Sequence, residues 1–423
     1  MHDLDVAVIG AGLAGISCAR VLHRHGLRVQ LFESSDGVGG RIRTDVVDGF
    51  RLDRGFQVFN SAYPQLKDWL THANIDARYF DQSLLVASRG RLWPLADPRR
   101  RPASVIQALR APEVGVTDLM RTAAHLARCG YGRPAGIKHG PDTAVRTHWQ
   151  QIGLSDRVID RVLSPFFTGL LLDRNLTTSS RFTDLMTRMF VRGHSGVPAQ
   201  GMQRLPELLA ADLHVTVDTP VQRISGSTVQ TTAGPVAARA VVVATGAAQA
   251  ARLLPGLPAP DWRGVTTWYH VAPTPPVEAA ALIIDPDRSP VDNTVVMTNA
   301  APTYSPDDRA LIATSWVHDG TTSPDDSDIR HRLTDLYGAD ATSWTQIARY
   351  DVPHALPSMP APHPLHRPVR WADCYVCGDH RDTSSIQGAL ASGRRAARAV
   401  LADLDRPSWT TTGRFPPRAG HDT

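Results

Sequence analysis

The sequence predicts an α/β protein in which one domain is assembled from distant segments of the chain and an α+β domain is inserted between them. Two patterns support this prediction. Residues 6–33 read as strand, glycine-rich turn, helix and strand, and residues 375–396 read as strand, Gly-Asp pair and helix. The length of 423 residues also exceeds what one hydrophobic core usually holds, so two domains are expected.

The N-terminal pattern is that of a dinucleotide-binding βαβ unit. Residues 6–9 are apolar and form a short strand, and the sequence GAGLAG at residues 10–15 opens a helix that Gly26 ends. Residues 29–33 form a second strand that closes with an acid. The spacing matches G-x-G-x-x-G followed by an acidic residue, which is typical of a Rossmann-type fold.

Each glycine of this turn has a physical role. Gly10 permits the tight turn, Gly12 lets the backbone approach a pyrophosphate, and Gly15 lets helix and strand pack closely. The unpaired N–H groups at the start of the helix attract phosphate, and the helix dipole adds to that attraction. The residues predicted to hold the pyrophosphate are Gly10, Gly12, Leu13, Ala14 and Gly15.

The acid at the end of the second strand is Glu33, and Ser34 follows it. A carboxylate here accepts hydrogen bonds from the adenosine ribose, so both residues are predicted to contact the cofactor. The negative charge of Glu33 also repels a 2′-phosphate, which disfavours NADP as the cofactor. NAD and FAD share this arrangement, so a second signal is needed to separate them.

A second glycine-rich segment supplies that signal. Residues 37–44 read GVGGRIRT, in which Gly39 and Gly40 let the chain fold over a diphosphate and Arg41 binds it. Together with the N-terminal unit, this segment resembles the flavin amine oxidase superfamily, which includes monoamine oxidases, protoporphyrinogen oxidase and phytoene desaturase-like enzymes. The resemblance implies FAD as the cofactor. The family's usual position for a thioether bond to flavin holds no cysteine here, so noncovalent FAD is expected.

The resemblance extends through the middle of the chain. Residues 52–58 look like the segment that the family places near the isoalloxazine ring, and residues 198–202 are similar to the motif before its second FAD-contacting β unit. Residues 241–246 resemble its A-T-G strand. Val221 matches the position whose backbone pairs with adenine. The FAD contacts that the resemblance implies here are Gly55, Phe56, Gln57, Val221, Ala244 and Thr245.

The C-terminal pattern resembles the closing G-D-(x)n-G-A-x-x-S-G motif of the same superfamily. The resemblance implies that Asp379 accepts a hydrogen bond from a ribityl hydroxyl. It also implies that the start of the following helix faces the flavin N1 and C2 carbonyl, where the helix dipole stabilises negative charge. The implied contacts are Gly378, Asp379, Ser385, Ile386, Gln387 and Ala389.

These assignments define a discontinuous arrangement of domains. The FAD-binding domain is predicted to comprise residues 1–88, 198–255 and 350–405. The inserted substrate domain is predicted to comprise residues 89–197 and 256–349, with helices at 104–126 and 144–162 and strands at 264–271 and 311–317. Residues 406–423 are polar and contain proline, which predicts a loose tail.

The resemblance implies an oxidase or dehydrogenase in which a hydride leaves a small organic substrate for the flavin, forming a C=N or C=C bond. Amine oxidases of the family commonly hold a water against the flavin with a lysine, but the two lysines of this chain, Lys67 and Lys138, lie elsewhere. His270 falls near that position and is either a catalytic residue or a hydrogen-bonded core residue. Gln57 is a second catalytic candidate. Ser385 stands where the family tends to place one aromatic wall of a substrate cage.

Two other flavin chemistries stay open at this point. One is an isomerase that uses reduced flavin without net redox, and the other is an FAD monooxygenase. The absence of a separate NADPH-binding fingerprint from the sequence counts against the monooxygenase. Neither the substrate nor the electron acceptor follows from the sequence.

The composition restricts which binding partners and which cellular location we expect. The formal net charge is +4, which gives no indication of nucleic-acid binding, and a small molecule is the expected partner. The basic run at residues 97–102 is a solvated loop, or it contacts an acidic membrane surface or a charged substrate. Four cysteines form neither a disulfide framework nor a metal motif, so we expect no metal and a cytoplasmic location. Apolar runs stay shorter than the roughly 20 residues of a membrane span. The oligomeric state stays open.

Overall fold

The computed structural model describes residues 4–67, 75–96, 114–288 and 290–404. The basic run at 97–102, the first part of the predicted helix at 104–126 and the predicted tail at 406–423 lie outside these residues. The helices are α1 Leu13–Arg24, α2 Val116–Tyr131, α3 Pro134–Lys138, α4 Val145–Gln151, α5 Asp156–Val158, α6 Ser164–Leu171, α7 Ser180–Arg192, α8 Arg204–Ala210, α9 Ala247–Leu253, α10 Met297–Ala300, α11 Asp326–Tyr337 and α12 Ile386–Asp403.

Within the described residues the strands form four sheets, with parallel and antiparallel pairs in a mixed α/β fold. They are β1 Leu4–Ile9, β2 Val29–Phe32, β3 Thr44–Val47, β4 Phe50–Asp53, β5 Phe59–Asn60, β6 Ala77–Tyr79, β7 Ser83–Ser88, β8 Arg91–Ala96, β9 Ser195–Pro198, β10 His214–Thr216, β11 Val221–Ser225, β12 Thr228–Thr231, β13 Gly234–Val243, β14 Trp262–Ala272, β15 Leu282–Ile284, β16 Asn293–Val296, β17 Ala310–Val317, β18 Thr345–Pro357, β19 Arg370–Trp371 and β20 Cys374–Val376.

The predicted βαβ unit is the centre of an eight-stranded sheet. Strand β1 lies parallel to β2 on one side and to β13 on the other, and β20 lies parallel to β13. The strands from the start, middle and end of the chain are therefore neighbours in one sheet. Their carboxyl ends meet at one edge, which is where open parallel sheets bind ligands.

Two helices from opposite ends of the chain pack against each other beside this sheet. The hydroxyl of Ser17 in α1 donates to the carbonyl of Leu390 in α12, at 2.8 Å. A Cβ atom on Gly393 would clash with the carbonyl oxygen of Ala14, so the helices approach at backbone distance. Glycine is required at that point because any side chain would separate the helices.

The second large sheet has seven strands in the order β18-β14-β17-β16-β15-β7-β8. Strands β14 and β17 contain the predicted strands at 264–271 and 311–317, which confirms both. The chain first enters this sheet at β7 and leaves it at the end of β18. The predicted domain boundaries at 88/89 and 349/350 therefore cut through a hairpin and a strand of one sheet.

The helix predicted at 144–162 is wrong in its extent. Helix α4 ends at Gln151, and Gly153 has a positive φ of +83°, which reverses the chain. Ser155 then caps a new helix by accepting a hydrogen bond from the Val158 N–H at 3.3 Å. Helical structure continues through a π-helical segment, Ile159–Leu163, into α6. None of the described helices is long and apolar enough to cross a membrane.

Candidate active site

The glycine turn at residues 10–15 has the backbone shape that its sequence predicts. Gly10 has a φ of +101°, and a Cβ atom there would lie 3.0 Å from the Ala244 carbonyl oxygen. A Cβ atom on Gly15 would clash with the Gly10 carbonyl oxygen. Leu13 and Ala14 are buried in the first turn of α1. Both ends of the turn are thus fixed by close backbone packing.

Gly12 differs from these two glycines because a Cβ atom there would meet no protein atom within 4 Å. It is the N-cap of α1, and as a glycine it has no side chain to accept a hydrogen bond from the first turn of that helix. The Gly39 N–H donates to the Ala11 carbonyl at 2.9 Å, and Gly40 lies against the Cα atom of Gly12. The two glycine segments therefore form a backbone cradle with uncapped N–H groups, which suits a pyrophosphate.

Glu33 is buried and supports the cradle through its side chain. Its Oε2 atom accepts from the Ala11 N–H at 2.7 Å, and its Oε1 atom accepts from the Ser35 N–H at 3.0 Å. The hydroxyl of the exposed Ser34 is 3.3 Å from Oε1. The Thr219 N–H donates to the Glu33 carbonyl at 2.8 Å, which brings the segment before Val221 to this acid. The two predicted adenosine contacts, from residues 33 and 221, are therefore on neighbouring segments.

Arg41 joins the two halves of the site. Its Nη2 atom is 2.7 Å from Oδ1 of Asp379, and its Nη1 atom donates to the Ala355 carbonyl at 2.6 Å. The guanidinium also lies over the ring of Trp262, 5.6 Å from the ring centroid. The second glycine segment and the C-terminal Gly-Asp pair thus meet through a charge-assisted hydrogen bond.

The C-terminal bend is held by its own helix. Gly378 has a φ of +151°, and its N–H donates to the Ser392 hydroxyl at 2.9 Å. Ser385 is the N-cap of α12 and accepts from the Gly388 N–H at 3.0 Å. This capping role gives a physical reason for serine where the family tends to have an aromatic residue.

The first turn of α12 contains the other C-terminal candidates. Ile386, Gln387 and Ala389 are partly buried there. The Oε1 atom of Gln387 accepts from the Gln65 N–H at 2.9 Å, which fixes its side chain. The helix therefore begins at the residues that the closing motif predicts, with its N-terminus beside the Gly-Asp bend.

Two predicted contacts in the middle of the chain lie behind the glycine turn. The Ala244 N–H donates to the Ile9 carbonyl at 2.8 Å, which places the A-T-G strand end beside the turn. The hydroxyl of Thr245 is buried and has no hydrogen-bond partner among the described residues. Buried hydroxyls usually have one, so this atom is suited to bind a ligand.

The segment near Gln57 supports Arg41 from the other side. The Nε2 atom of Gln57 donates to the Arg41 carbonyl at 2.9 Å, while its buried Oε1 atom has no partner among the described residues. Gly55 has a φ of +97°, and the Phe56 N–H is 3.4 Å from the Thr267 hydroxyl. The resemblance-based contacts at 55–57 therefore lie between the cradle and strand β14.

Asp53 is a buried carboxylate that ties three segments together, and the sequence analysis did not single out its role. Its Oδ1 atom accepts from the Thr44 hydroxyl at 2.6 Å and the Met202 N–H at 2.9 Å. Its Oδ2 atom accepts from the Tyr304 hydroxyl at 2.9 Å, and the Tyr269 hydroxyl donates to its backbone carbonyl. Burial raises the pKa of Asp53 to about 6, although these hydrogen bonds oppose the rise.

This raised pKa predicts a pH dependence of stability. The folded protein binds the Asp53 proton more tightly than the unfolded chain, in which the pKa of an aspartate is near 3.8. Protonation of Asp53 therefore stabilises the folded state, and this stabilisation is complete below about pH 4. It is lost as the pH rises through about 6, and the loss is about 3 kcal/mol at 1.36 kcal/mol per pKa unit. The Asp53→Asn variant cannot titrate there. Urea unfolding between pH 4 and 7 should therefore show a steeper decline for the wild type, and parallel curves would contradict the assignment.

His270 lies on the face of β14 that turns away from the cradle. Its neighbour Tyr269 points to Asp53, whereas the His270 Nε2 atom is 2.8 Å from Oδ1 of Asp326 in α11. His270 is fully buried, and that burial lowers its pKa. This placement supports the core role of His270 and gives no support to the catalytic alternative, because successive strand residues face opposite sides of a sheet.

Replacing His270 with alanine is accordingly expected to lower stability by about 2–3 kcal/mol, through a lost buried hydrogen bond and a cavity. Flavin content and the flavin absorption spectrum should stay at the wild-type level. Urea unfolding and absorbance spectra measure the two effects separately. His331→Ala, at an exposed position in α11, is the matched control and should change neither. A changed flavin spectrum with wild-type stability would instead place His270 at the flavin.

Four large aromatic side chains of the inserted region lie in two different places. Trp268 and Trp316 belong to the core under α11, together with Leu333. Phe166 and Phe167 instead pack edge to face in α6, with ring centroids 5.1 Å apart. The alternation of β14 and β17 separates the two groups, so they do not share a cavity wall.

The chain is similar to known flavoproteins both in sequence and in fold. The model of the flavin-containing amine oxidoreductase family matches residues 13–401. Among solved structures, cyclohexylamine oxidase from Brevibacterium oxydans superposes with a TM-score of 0.72 at 19% identity, covering 96% of this chain and all of that one. At this identity the likeness concerns the fold.

Two curated relatives match shorter stretches. Carotenoid phi-ring synthase of Streptomyces griseus is 35% identical over 126 residues, which is 27% of this chain and 24% of that protein. Putrescine oxidase of Kocuria rosea is 26% identical over 251 residues, which is 52% of this chain and 49% of that protein. The chain thus aligns with at most about half the length of these two relatives.

Proposed function

The chain belongs to the flavin-containing amine oxidoreductase family, and we propose that it is an FAD-dependent oxidase or dehydrogenase acting on a small organic molecule. The observation that carries the proposal is the contact between Arg41 and Asp379, at 2.7 Å. It joins two segments more than 330 residues apart, each of which the sequence assigns to the same extended cofactor.

The residues present fit FAD. The cradle of Gly12, Gly39 and Gly40 offers uncapped N–H groups for the pyrophosphate, and the Thr245 hydroxyl is a buried donor without a partner among the described residues. Glu33 supplies a carboxylate for the ribose, and the α12 N-terminus supplies a positive dipole end for the flavin ring. We propose noncovalent binding because the sequence has no cysteine at the family's usual position for a thioether bond to flavin.

When bound, FAD supplies the hydride acceptor of the reaction. The protein's own residues then bind and orient the cofactor and the substrate, and they exclude water. Arg41 and Asp379 form the ion pair that connects the N-terminal and C-terminal parts of the site. Gln57 donates a hydrogen bond to the backbone carbonyl of Arg41, and the Asp53 carbonyl accepts one from Tyr269 in β14. Positioning of this kind lowers a barrier without a dedicated acid or base.

The proposed domain arrangement follows the two large sheets. A Rossmann-type FAD-binding domain is built around the parallel strands β1, β2 and β13, and a substrate domain is built around the seven-stranded sheet. Because β7 and β18 belong to the second sheet, we move the boundaries to precede Ser83 and to follow Pro357. The substrate domain remains inserted twice into the FAD-binding domain.

Bleaching of the flavin tests the reaction class. Purified yellow protein is mixed anaerobically with a panel of amines and of saturated precursors of conjugated hydrocarbons, and absorbance near about 450 nm is followed. Substrate-dependent bleaching supports the oxidoreductase. Conversion of a compound only after chemical reduction of the flavin would favour the isomerase, and NADPH consumption coupled to hydroxylation would favour the monooxygenase.

A further inference from the structure

A polar cluster outside the cofactor cradle joins three helices of the inserted region. It consists of His125 in α2, His148 in α4 and Asp184 in α7, with one ligand atom from each lying within 4.8 Å of the others. His125 and Asp184 are buried, with side-chain exposures of 7% and 5%. These residues are 23 and 36 positions apart and share no motif, so the sequence gives no indication of a metal site here, and the expectation of no metal rested on the cysteines alone.

One guanidinium nitrogen of Arg128 contacts all three side chains of this cluster. The Nη2 atom is 2.6 Å from Asp184 Oδ2 and 3.3 Å from both His125 Nδ1 and His148 Nε2, which leaves His125 Nε2 beside Asp184 Oδ1. The other carboxylate oxygen, Asp184 Oδ1, is buried and has no hydrogen-bond partner among the described residues. One donor atom thus serves three acceptors and leaves a fourth unsatisfied, which is a poor arrangement for a buried carboxylate.

The spacing of the ligand atoms fits a tetrahedral metal ion. His125 Nε2 lies 3.3 Å from Asp184 Oδ1, and His148 Nε2 lies 3.8 Å from Asp184 Oδ2. Bonds of about 2.0–2.1 Å at tetrahedral angles separate two ligand atoms by roughly 3.3 Å. The first of these distances equals that separation and the second exceeds it by 0.5 Å, and His148 is the most exposed of the three at 20%, which leaves its side chain the most room to move.

The kinds of ligand atom in the cluster indicate which metal it would bind. Two imidazoles with one carboxylate are typical ligands of Zn²⁺, whereas Mg²⁺ and Ca²⁺ prefer oxygen ligands alone.

We propose that His125, His148 and Asp184 bind a zinc ion that fastens α2, α4 and α7 together. Arg128 is 48% exposed, so its guanidinium swings into solvent when the metal enters, and water completes the coordination. The thiol of Cys129 lies 3.8 Å from His125 Nε2, beside the proposed ligands. All residues of the site lie between 116 and 192, outside the segments that are proposed to bind FAD.

Zinc titration of the chelator-treated holoenzyme, monitored by calorimetry, tests the proposal. We expect one ion per chain with a Kd below about 10 μM, and no binding of Mg²⁺. His148→Ala should weaken zinc binding at least about 100-fold, and His139→Ala, at an exposed position of the same region, should leave it unchanged. Flavin content should be equal in all of these proteins.

Arg128→Ala separates the metal site from an ordinary ion-pair cluster. Without the competing guanidinium, this variant should bind zinc at least about tenfold more tightly than the wild type, and zinc should raise its Tm more. Absence of zinc binding from both proteins would overturn the proposal and leave Arg128 as the only cation of the cluster. Equal zinc binding by His148→Ala would overturn it as well.

Discussion

The Gly12→Val variant is expected to fold normally and to purify without FAD. Gly12 has φ and ψ of −73° and 174°, an extended conformation that valine adopts readily, and a Cβ atom there meets no protein atom within 4 Å. The new side chain therefore fills only the space in front of the α1 N-terminus. That space is where the proposed pyrophosphate binds, so the loss in FAD affinity should exceed about 100-fold, or about 2.7 kcal/mol.

Absorbance of the purified protein near about 450 nm and titration of the apoprotein with FAD measure this loss. Gly136→Val is the matched control, because Gly136 is exposed in α3 and its Cβ position is equally open. That control should stay yellow. Stoichiometric FAD in Gly12→Val would contradict the placement of the pyrophosphate. Unfolding of the variant would show that the turn does not accept a side chain at residue 12, despite the open space around it.

The sequence was sufficient for the cofactor cradle because each of its parts is local. Gly10 and Gly378 need positive φ angles, and the strands beside them are short apolar runs, so pattern alone predicts both bends. That the bends meet follows from the parallel register of β1, β13 and β20. The resemblance predicted this meeting, and the structure confirms it through Arg41 and Asp379.

The same reasoning could not assign the two faces of β14. Both faces are buried, one against Asp53 and the other under α11, so the strand shows no polar and apolar alternation. A one-residue ambiguity in register therefore decides whether His270 or Tyr269 faces the cradle. The sequence did not predict the cluster of His125, His148 and Asp184 either, because only the packing of three helices brings those residues together.

The Gly393→Ala variant tests the contact between the two ends of the chain, and we expect it to be strongly destabilised. The added methyl group would clash with the Ala14 carbonyl oxygen and lie 3.0 Å from the Cys18 backbone nitrogen. Both are backbone atoms of α1 and cannot rotate away, so α1 and α12 must move apart. We expect a loss of about 3 kcal/mol or more, together with weaker FAD binding because the α1 N-terminus forms the cradle.

The same substitution at the exposed Gly136 of α3 should have the opposite sign. Alanine there meets no atom within 4 Å and gains helix propensity, so Gly136→Ala should be more stable by up to about 1 kcal/mol. Urea unfolding of the two variants beside the wild type, with flavin content measured on the same samples, distinguishes close packing from propensity. A stabilised Gly393→Ala protein with full flavin content would show that α1 and α12 do not touch at this point. The cradle would then need a different support from the C-terminal end of the chain.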